Sequence, residues 1–137
     1  MVEMELNKIV IDEKRHDQLI VLKEKGGLRV LPIVIGLNEA SAIKLKISGF
    51  IPPRPLTHDL IYTMLKDLNA GVEKVVIDKL EETTFHAKIF IKAANEDLRI
   101  IDALPSDSVA LAVRFHAPIF VEESIVKQFE VFDKDKQ

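Results

Sequence analysis

Residues 54–60 read Arg-Pro-Leu-Thr-His-Asp-Leu and combine three kinds of polar side chain in one short segment. Prolines precede the segment and apolar residues at helical spacing follow it, so we expect a stiff loop to become a helix here. A helix N-terminus carries a partial positive charge and unpaired N–H donors, which attract anions such as phosphate. Arg54 and Thr57 are therefore predicted to bind a phosphate-bearing substrate, with the His58 imidazole beside it.

Two of these side chains also have purely structural interpretations. His58 is either a general acid or base in phosphodiester cleavage or a ring that hydrogen-bonds a loop carbonyl and stiffens the turn. Thr57 is expected to be the N-cap of the helix, because its hydroxyl can accept a hydrogen bond from a backbone N–H of the first turn. The sequence leaves both interpretations of His58 open.

Four acids are the candidates for a divalent-metal site, most simply Mg²⁺: Glu39, Asp59, Asp102 and Asp107. Hydrolysis by two metal ions needs several carboxylates that converge on ions about 4 Å apart. Asp59 and Asp107 are also predicted to be catalytic together with His58. Each acid taken alone is better explained as a helix-start or turn residue. Arg54 could pair with Asp59, Asp102 or Asp107 instead of holding a phosphate.

Ser106 follows Pro105 where another helix is predicted to begin. No G-x-S-x-G pattern surrounds it and no base lies close in sequence, so a nucleophilic role has little support. We predict that Ser106 caps the helix, and that its hydroxyl joins Arg54 and Thr57 in binding the substrate.

The composition narrows the classes of protein. The 137 residues fit one domain, and the absence of cysteine excludes disulfides and thiolate zinc sites. No signal-peptide core and no apolar run of about 20 residues is present, which predicts a cytoplasmic protein with no membrane segment. The net charge of -3 is unlike that of a non-specific nucleic-acid binder, so RNA or DNA would have to be held in a local pocket or by a basic surface that forms on assembly.

The hydrophobic pattern predicts an α+β single domain with mostly antiparallel sheet and three main helices. The helices are predicted over residues 37–47, 57–69 and 105–115, with a brief fourth near 123–127. The second carries an apolar stripe, and the third is apolar all round and should be central. The strands are predicted over residues 2–11, 19–23, 28–35, 72–78, 84–92, 98–103 and 117–121. Pro32 cannot donate a ladder hydrogen bond, so its strand should have an edge or a bulge there.

Several blocks in fixed order resemble the bifunctional nuclease (BFN) domain family. They are the Leu-Pro-Ile-Val-Ile-Gly run at 31–36, Glu39-Ala40, the 54–60 block, Phe85 and Ala87, Ile-Asp-Ala at 101–103, Pro-Ser-Asp at 105–107 and Ala-Pro-Ile at 117–119. The resemblance covers residues 1–125 and leaves 126–137 as an extension that frays in part. Two positions depart from the family pattern, because Val34 stands where an aromatic is usual and Leu104 where an arginine is common.

This resemblance implies an oligomeric α+β domain of a family credited with cleaving both RNA and DNA. Residues 54 and 57–59 match its first motif, and residues 102 and 105–107 match its second. The sequence thus predicts a nuclease that forms a homo-oligomer, most simply a dimer. The alternative is a non-catalytic oligomeric module that binds a small anionic ligand or a protein partner.

Overall fold

The computed structural model describes residues 1–12, 14, 17–129 and 131–132, the last two without their side chains. The strands are β1 (Val2–Val10), β2 (Gln18–Glu24), β3 (Arg29–Ile35), β4 (Gly71–Glu81), β5 (Thr84–Lys92), β6 (Leu98–Ala103), β7 (Ile119–Val121) and β8 (Val131–Phe132). The helices are α1 (Leu37–Ile47), α2 (Thr57–Asp67), α3 (Pro105–Phe115) and α4 (Glu123–Gln128). The predicted α+β class with three main helices is confirmed, since α1, α2 and α3 have 11 residues each and α4 has six.

The described strands form one sheet in the order β6-β5-β4-β7-β1-β2-β3-β8. Every neighbouring pair is antiparallel except β4 and β7, which run parallel. β8 pairs with β3 only at Arg29 and Val30, so the stretch of β3 that contains Pro32 has a partner on one side alone in the described structure. The edge position predicted for Pro32 is therefore confirmed.

The core lies between one face of the sheet and the helices. Strand residues at alternate positions point into it, as period-two burial requires; Ile20 with Leu22 and Ile33 with Ile35 are examples. Helix α3 contributes a fully buried set of small apolar side chains, namely Val109, Ala110 and Ala112. It packs on α1, α2, β4 and β5, so the prediction that this helix is central is confirmed.

The apolar stripe of α2 is only partly used for packing. Ile61 and Leu65 pack against the core, but Leu60, Met64 and Leu68 are 52%, 56% and 73% exposed. The α2 ridge, by which we mean Leu60, Met64 and Leu68, is spaced at i, i+4 and i+8 and so forms one line on the outer side of the helix.

Both N-cap predictions are wrong. The N-cap of α2 is Leu56, and the N-cap of α3 is Leu104, so Thr57 and Pro105 occupy the first helical positions and Ser106 the second. In α2 the carboxylate of Asp59 accepts a hydrogen bond from the Leu56 N–H at 3.1 Å. A side chain at the third helical position thus supplies the end contact that was expected of the Thr57 hydroxyl.

The boundary predicted between residues 125 and 126 falls inside α4, where Ile125 and Val126 are both buried. Of the predicted extension, residues 130 and 133–137 lie outside the described residues. No helix in the described part of the chain is long and apolar enough to cross a membrane.

Candidate active site

A cleft of about 1010 Å³ opens between the three main helices and the outer strands of the sheet. Its polar lining residues are Asn38, Glu39, Ser41, Thr57, His58 and Asp107. Isoleucine and leucine side chains from α2, α3, β5 and β6 make up much of the remaining wall. No lysine or arginine is among the described residues that line the cleft.

First-turn residues of three helices line this cleft. Asn38 and Glu39 belong to the first turn of α1, Thr57 and His58 to that of α2, and Asp107 to that of α3. The first N–H groups of a helix lack intrahelical acceptors and carry the positive end of the helix dipole. Leu56, the N-cap of α2, lines this cleft as well, whereas the N-caps of α1 and α3, Gly36 and Leu104, line a neighbouring cleft. The positive end of α2 is therefore at this cleft, and first-turn residues of α1 and α3 border it.

His58 and Asp107 are in direct contact within the cleft. His58 Nε2 lies 2.9 Å from Asp107 Oδ1, which is a hydrogen-bond distance. The His58 side chain is 9% exposed and the Asp107 side chain 43% exposed. Asp107 is thus the member of the pair that meets solvent, and the imidazole lies behind it.

Glu39 reaches the same cleft because Gly36 leaves room for its carboxylate. A Cβ at Gly36 would lie 2.3 Å from Glu39 Oε2, so the acid folds back over the start of α1. Glu39 also lines a second cleft of about 720 Å³, which contains Ser106. Glu39 therefore stands where the two clefts adjoin.

Asp59 faces away from the cleft, although it follows His58 in sequence. Its Oδ1 accepts a hydrogen bond from Arg114 Nε at 2.9 Å, and it lines a different pocket near the proline-rich loop. Burial alone would raise the pKa of Asp59, but the hydrogen bonds from Arg114 and the Leu56 N–H outweigh it, and the pKa lies below its ordinary value.

Asp102 and Arg54 also lie outside the cleft. Asp102 sits on β6 and pairs with Lys88 at 3.0 Å, a contact that lowers the pKa of the carboxyl. Arg54 is exposed on the loop before α2 and forms no ion pair with any residue in the described ranges. The salt bridge predicted from Arg54 to one of the three aspartates is therefore absent from this part of the chain.

The predicted four-acid metal cluster does not assemble. Glu39 and Asp107 reach the cleft, whereas Asp59 and Asp102 are engaged by Arg114 and Lys88. Over residues 1–12, 14, 17–129 and 131–132, no group of three or more histidine, aspartate or glutamate side chains is arranged to hold a metal ion.

Arg114 was not among the residues singled out from the sequence. It is the one basic residue of α3, a helix whose interior is otherwise apolar. A charged group in a helix predicted to be central must be buried and paired. The presence of a charged residue in an otherwise apolar, central helix was the sequence signal by which Arg114 could have been identified.

Known proteins match the chain over most of its length. A family model described as the bifunctional nuclease domain matches residues 20–134. An uncharacterized protein of Mycobacterium tuberculosis (strain ATCC 25618 / H37Rv) is 40% identical over 128 residues, which are 93% of this chain and 76% of that protein.

Two rice proteins are more distant. Bifunctional nuclease 1 and bifunctional nuclease 2 of Oryza sativa subsp. japonica are 24% and 27% identical over 116 and 118 residues. These matches cover 83% and 84% of this chain but 35% and 36% of the rice proteins.

Val34 and Leu104, the two departures from the family pattern, are exposed and line the second cleft, not the cleft of His58.

Proposed function

Since the chain belongs to the bifunctional nuclease domain family, we propose that it hydrolyses phosphodiester bonds in RNA or DNA at the cleft of His58 and Asp107. The observation that carries this proposal is the hydrogen-bonded pair, 2.9 Å from Nε2 to Oδ1, in a cleft lined by first-turn residues of three helices. The pair supplies groups that can move a proton, and the start of α2 supplies donors for a phosphate.

Phosphate binding would depend mainly on the backbone. The lining of the cleft has acids but no described lysine or arginine, so the positive potential comes from the start of α2. Arg54 lies on the loop just before α2 and is unpaired among the described residues, so it is free to contact a phosphate beyond the cleft mouth. Such a site suits one or a few nucleotides better than a long duplex, in keeping with the net charge of -3.

The exposures of the two side chains suggest their roles. Asp107 is the more exposed, so its second oxygen would accept a proton from the water that attacks phosphorus. The bond from phosphorus to the leaving nucleotide oxygen breaks as the new bond forms, and that oxygen takes up a proton from solvent. His58 would orient that carboxylate and stabilise the charge on the pair as the proton moves. The backbone donors would stabilise the charge that develops on the phosphoryl oxygens. Attack by water serves RNA and DNA alike, because it needs no 2′-hydroxyl.

Metal dependence stays a prediction. Of the four acids proposed as ligands, only Glu39 and Asp107 line the cleft. Mg²⁺ is commonly held by one or two carboxylates with water and substrate phosphate as the other ligands. Glu39 and Asp107 belong to no group of three or more histidine, aspartate or glutamate side chains that could hold a metal ion in the described residues, so no step of the proposed reaction passes through the ion.

The test is cleavage of single-stranded RNA and DNA by purified protein, with Mg²⁺ or with EDTA. Variants His58→Ala and Asp107→Asn should lose activity while remaining folded. Asp67→Asn is the matched control, because Asp67 is an exposed acid at the far end of α2. Cleavage that persists in both cleft variants would remove the proposed site.

The second candidate is a non-catalytic oligomeric module that binds a small anionic ligand or a protein partner. The exposed α2 ridge, Leu60, Met64 and Leu68, favours it, because a line of apolar side chains in solvent is typical of an interaction surface. Absence of cleavage, together with binding of inorganic phosphate or mononucleotides, would favour this function over hydrolysis.

A further inference from the structure

Helix α3 contacts the first turn of α2 at two points. Asp107 meets His58, and Arg114 meets the next residue, Asp59. Asp107 and Arg114 are seven residues apart, which is about two helical turns and so places them on one side of α3. The two contacts differ in which helix supplies the carboxylate. In the first, the carboxylate of α3 meets the imidazole of α2, and in the second the guanidinium of α3 meets the carboxylate of α2.

Arg114 is built into the protein on several sides. Its side chain is 2% exposed. Besides Nε to Asp59, Nη1 donates to the Ala110 carbonyl at 2.9 Å, and Nη2 lies 3.4 Å from the Ala42 carbonyl of α1. The guanidinium thus joins all three helices whose first turns line the cleft.

Asp59 transmits this contact to the start of α2. Oδ1 accepts from Arg114, and Oδ2 accepts from the N–H of the N-cap residue Leu56 at 3.1 Å. One carboxylate therefore ties the residue before the helix to a buried group on α3. His58 lies between Leu56 and Asp59 in the chain, so its backbone is held from both sides.

We propose that Arg114 and Asp59 are positioning residues, which hold the His58 imidazole against Asp107 without touching the substrate. The proposal rests on the proposed nuclease function only for its effect on cleavage. The position of the imidazole can be measured whether or not the protein is a nuclease.

The experiment compares Asp59→Asn and Arg114→Lys with Glu123→Gln in the full chain. Glu123→Gln is the matched control, because it removes an ion pair of 2.8 Å to Arg29 at β3, away from the cleft. The readouts are the ¹⁵N signals of the His58 ring, with Asp107→Ala as the reference for a lost contact, the melting temperature, and kcat and KM for single-stranded RNA.

We expect the His58 signals of Asp59→Asn to move toward those of Asp107→Ala, and kcat to fall at least about tenfold with a smaller change in KM, because a misplaced catalytic group lowers the rate strongly. Arg114→Lys keeps the charge but not the planar fork, so its shift should be smaller. Glu123→Gln should leave the His58 signals unchanged.

Wild-type His58 signals in a folded Asp59→Asn or Arg114→Lys variant would overturn the positioning role, as would an equal shift in Glu123→Gln. If Asp59→Asn fails to fold, Arg114→Lys decides the question. If the wild-type protein cleaves neither RNA nor DNA but the His58 signals of the variants follow the expected order, the result would refute the nuclease proposal and support the positioning of His58.

Discussion

The His58 imidazole lies behind the Asp107 carboxylate, 2.9 Å away and far less exposed than its partner. The two residues form one hydrogen-bonded pair but differ in burial. It predicts that removal of each will affect stability and activity in different proportions.

Asp107→Asn should lower cleavage at least about 100-fold, the usual contribution of a general acid or base. The fold should lose no more than about 1 kcal/mol, because Asp107 is a partly exposed helix-start acid and asparagine can still hydrogen-bond the His58 ring. Initial rates on single-stranded RNA and DNA, with urea unfolding of the same preparations, measure both. An Asp107→Asn variant with wild-type rates would contradict the role given to this carboxylate.

His58→Ala should lose activity and also about 2 kcal/mol of unfolding free energy, because it removes a buried ring and leaves a cavity. The larger loss of stability than in Asp107→Asn is the distinguishing result. Equal losses in the two variants would mean that the difference in burial has no energetic consequence.

Asp59→Asn should destabilise the protein by about 3 kcal/mol at neutral pH, the lower end for breaking a buried pair, since Asp59 is itself 28% exposed. The pKa of Asp59 is lowered in the folded state. Its contribution is therefore fully present above the ordinary pKa of aspartate, near about 3.9, and is lost as the pH falls through the lowered folded value.

The difference between wild type and Asp59→Asn should accordingly shrink on acidification below about pH 4. Urea unfolding of both proteins at pH 7, 4 and 3 measures it. A difference that stays constant over this range would show that the Asp59 charge contributes nothing to stability.

Gly36→Ala should act on Glu39. The backbone φ of -76° tolerates alanine, but the added methyl would meet Glu39 Oε2, which must move. We expect a change of less than about 1 kcal/mol in stability, since the end of a flexible side chain can adjust. Activity should change in the same direction as in Glu39→Gln. Wild-type activity in Gly36→Ala beside a defective Glu39→Gln would show that the folded-back position of the acid is unimportant.

We expect the protein to form a homo-oligomer, most simply a dimer, that covers the α2 ridge. Light scattering should give twice the monomer mass, and Met64→Glu with Leu68→Glu should reduce it to that of the monomer. Ile51→Glu is the control, because Ile51 is an exposed apolar residue outside the ridge. A monomer at every concentration would contradict the expectation.

Local patterns were sufficient for most of the fold. The bounds predicted for α1 and α3 agree with the structure, because helical periodicity and the flanking glycine and proline act within a few residues. The N-caps were wrong for a related reason. Thr57 and Ser106 have the right chemistry for a cap, but the helices begin one residue earlier for Thr57 and two for Ser106, and Asp59 supplies the end contact of α2.

The site was only partly predictable, because contacts with residues far away in sequence determine which side chains reach the cleft. His58 and Asp107 are 49 residues apart and meet, whereas Asp59 is taken by Arg114, 55 residues away. His58 and Asp59 are adjacent in sequence but thus line different pockets. The exposure of the α2 ridge was equally hidden, since a periodic pattern shows which side of a helix is apolar but not whether another element covers it.

The parallel contact between β4 and β7 has a consequence for how the molecule is made. β7 lies between β4 and β1, so it is the strand that joins the first half of the sheet to the second. During synthesis, β1 can pair with β2 early, but it cannot form its second strand pairing until residues 119–121 of β7 have been made. Both edges that β7 fills are long-range pairings, which form slowly. Residues 1–121 therefore have to emerge from the ribosome before the two halves of the sheet can pair through β7.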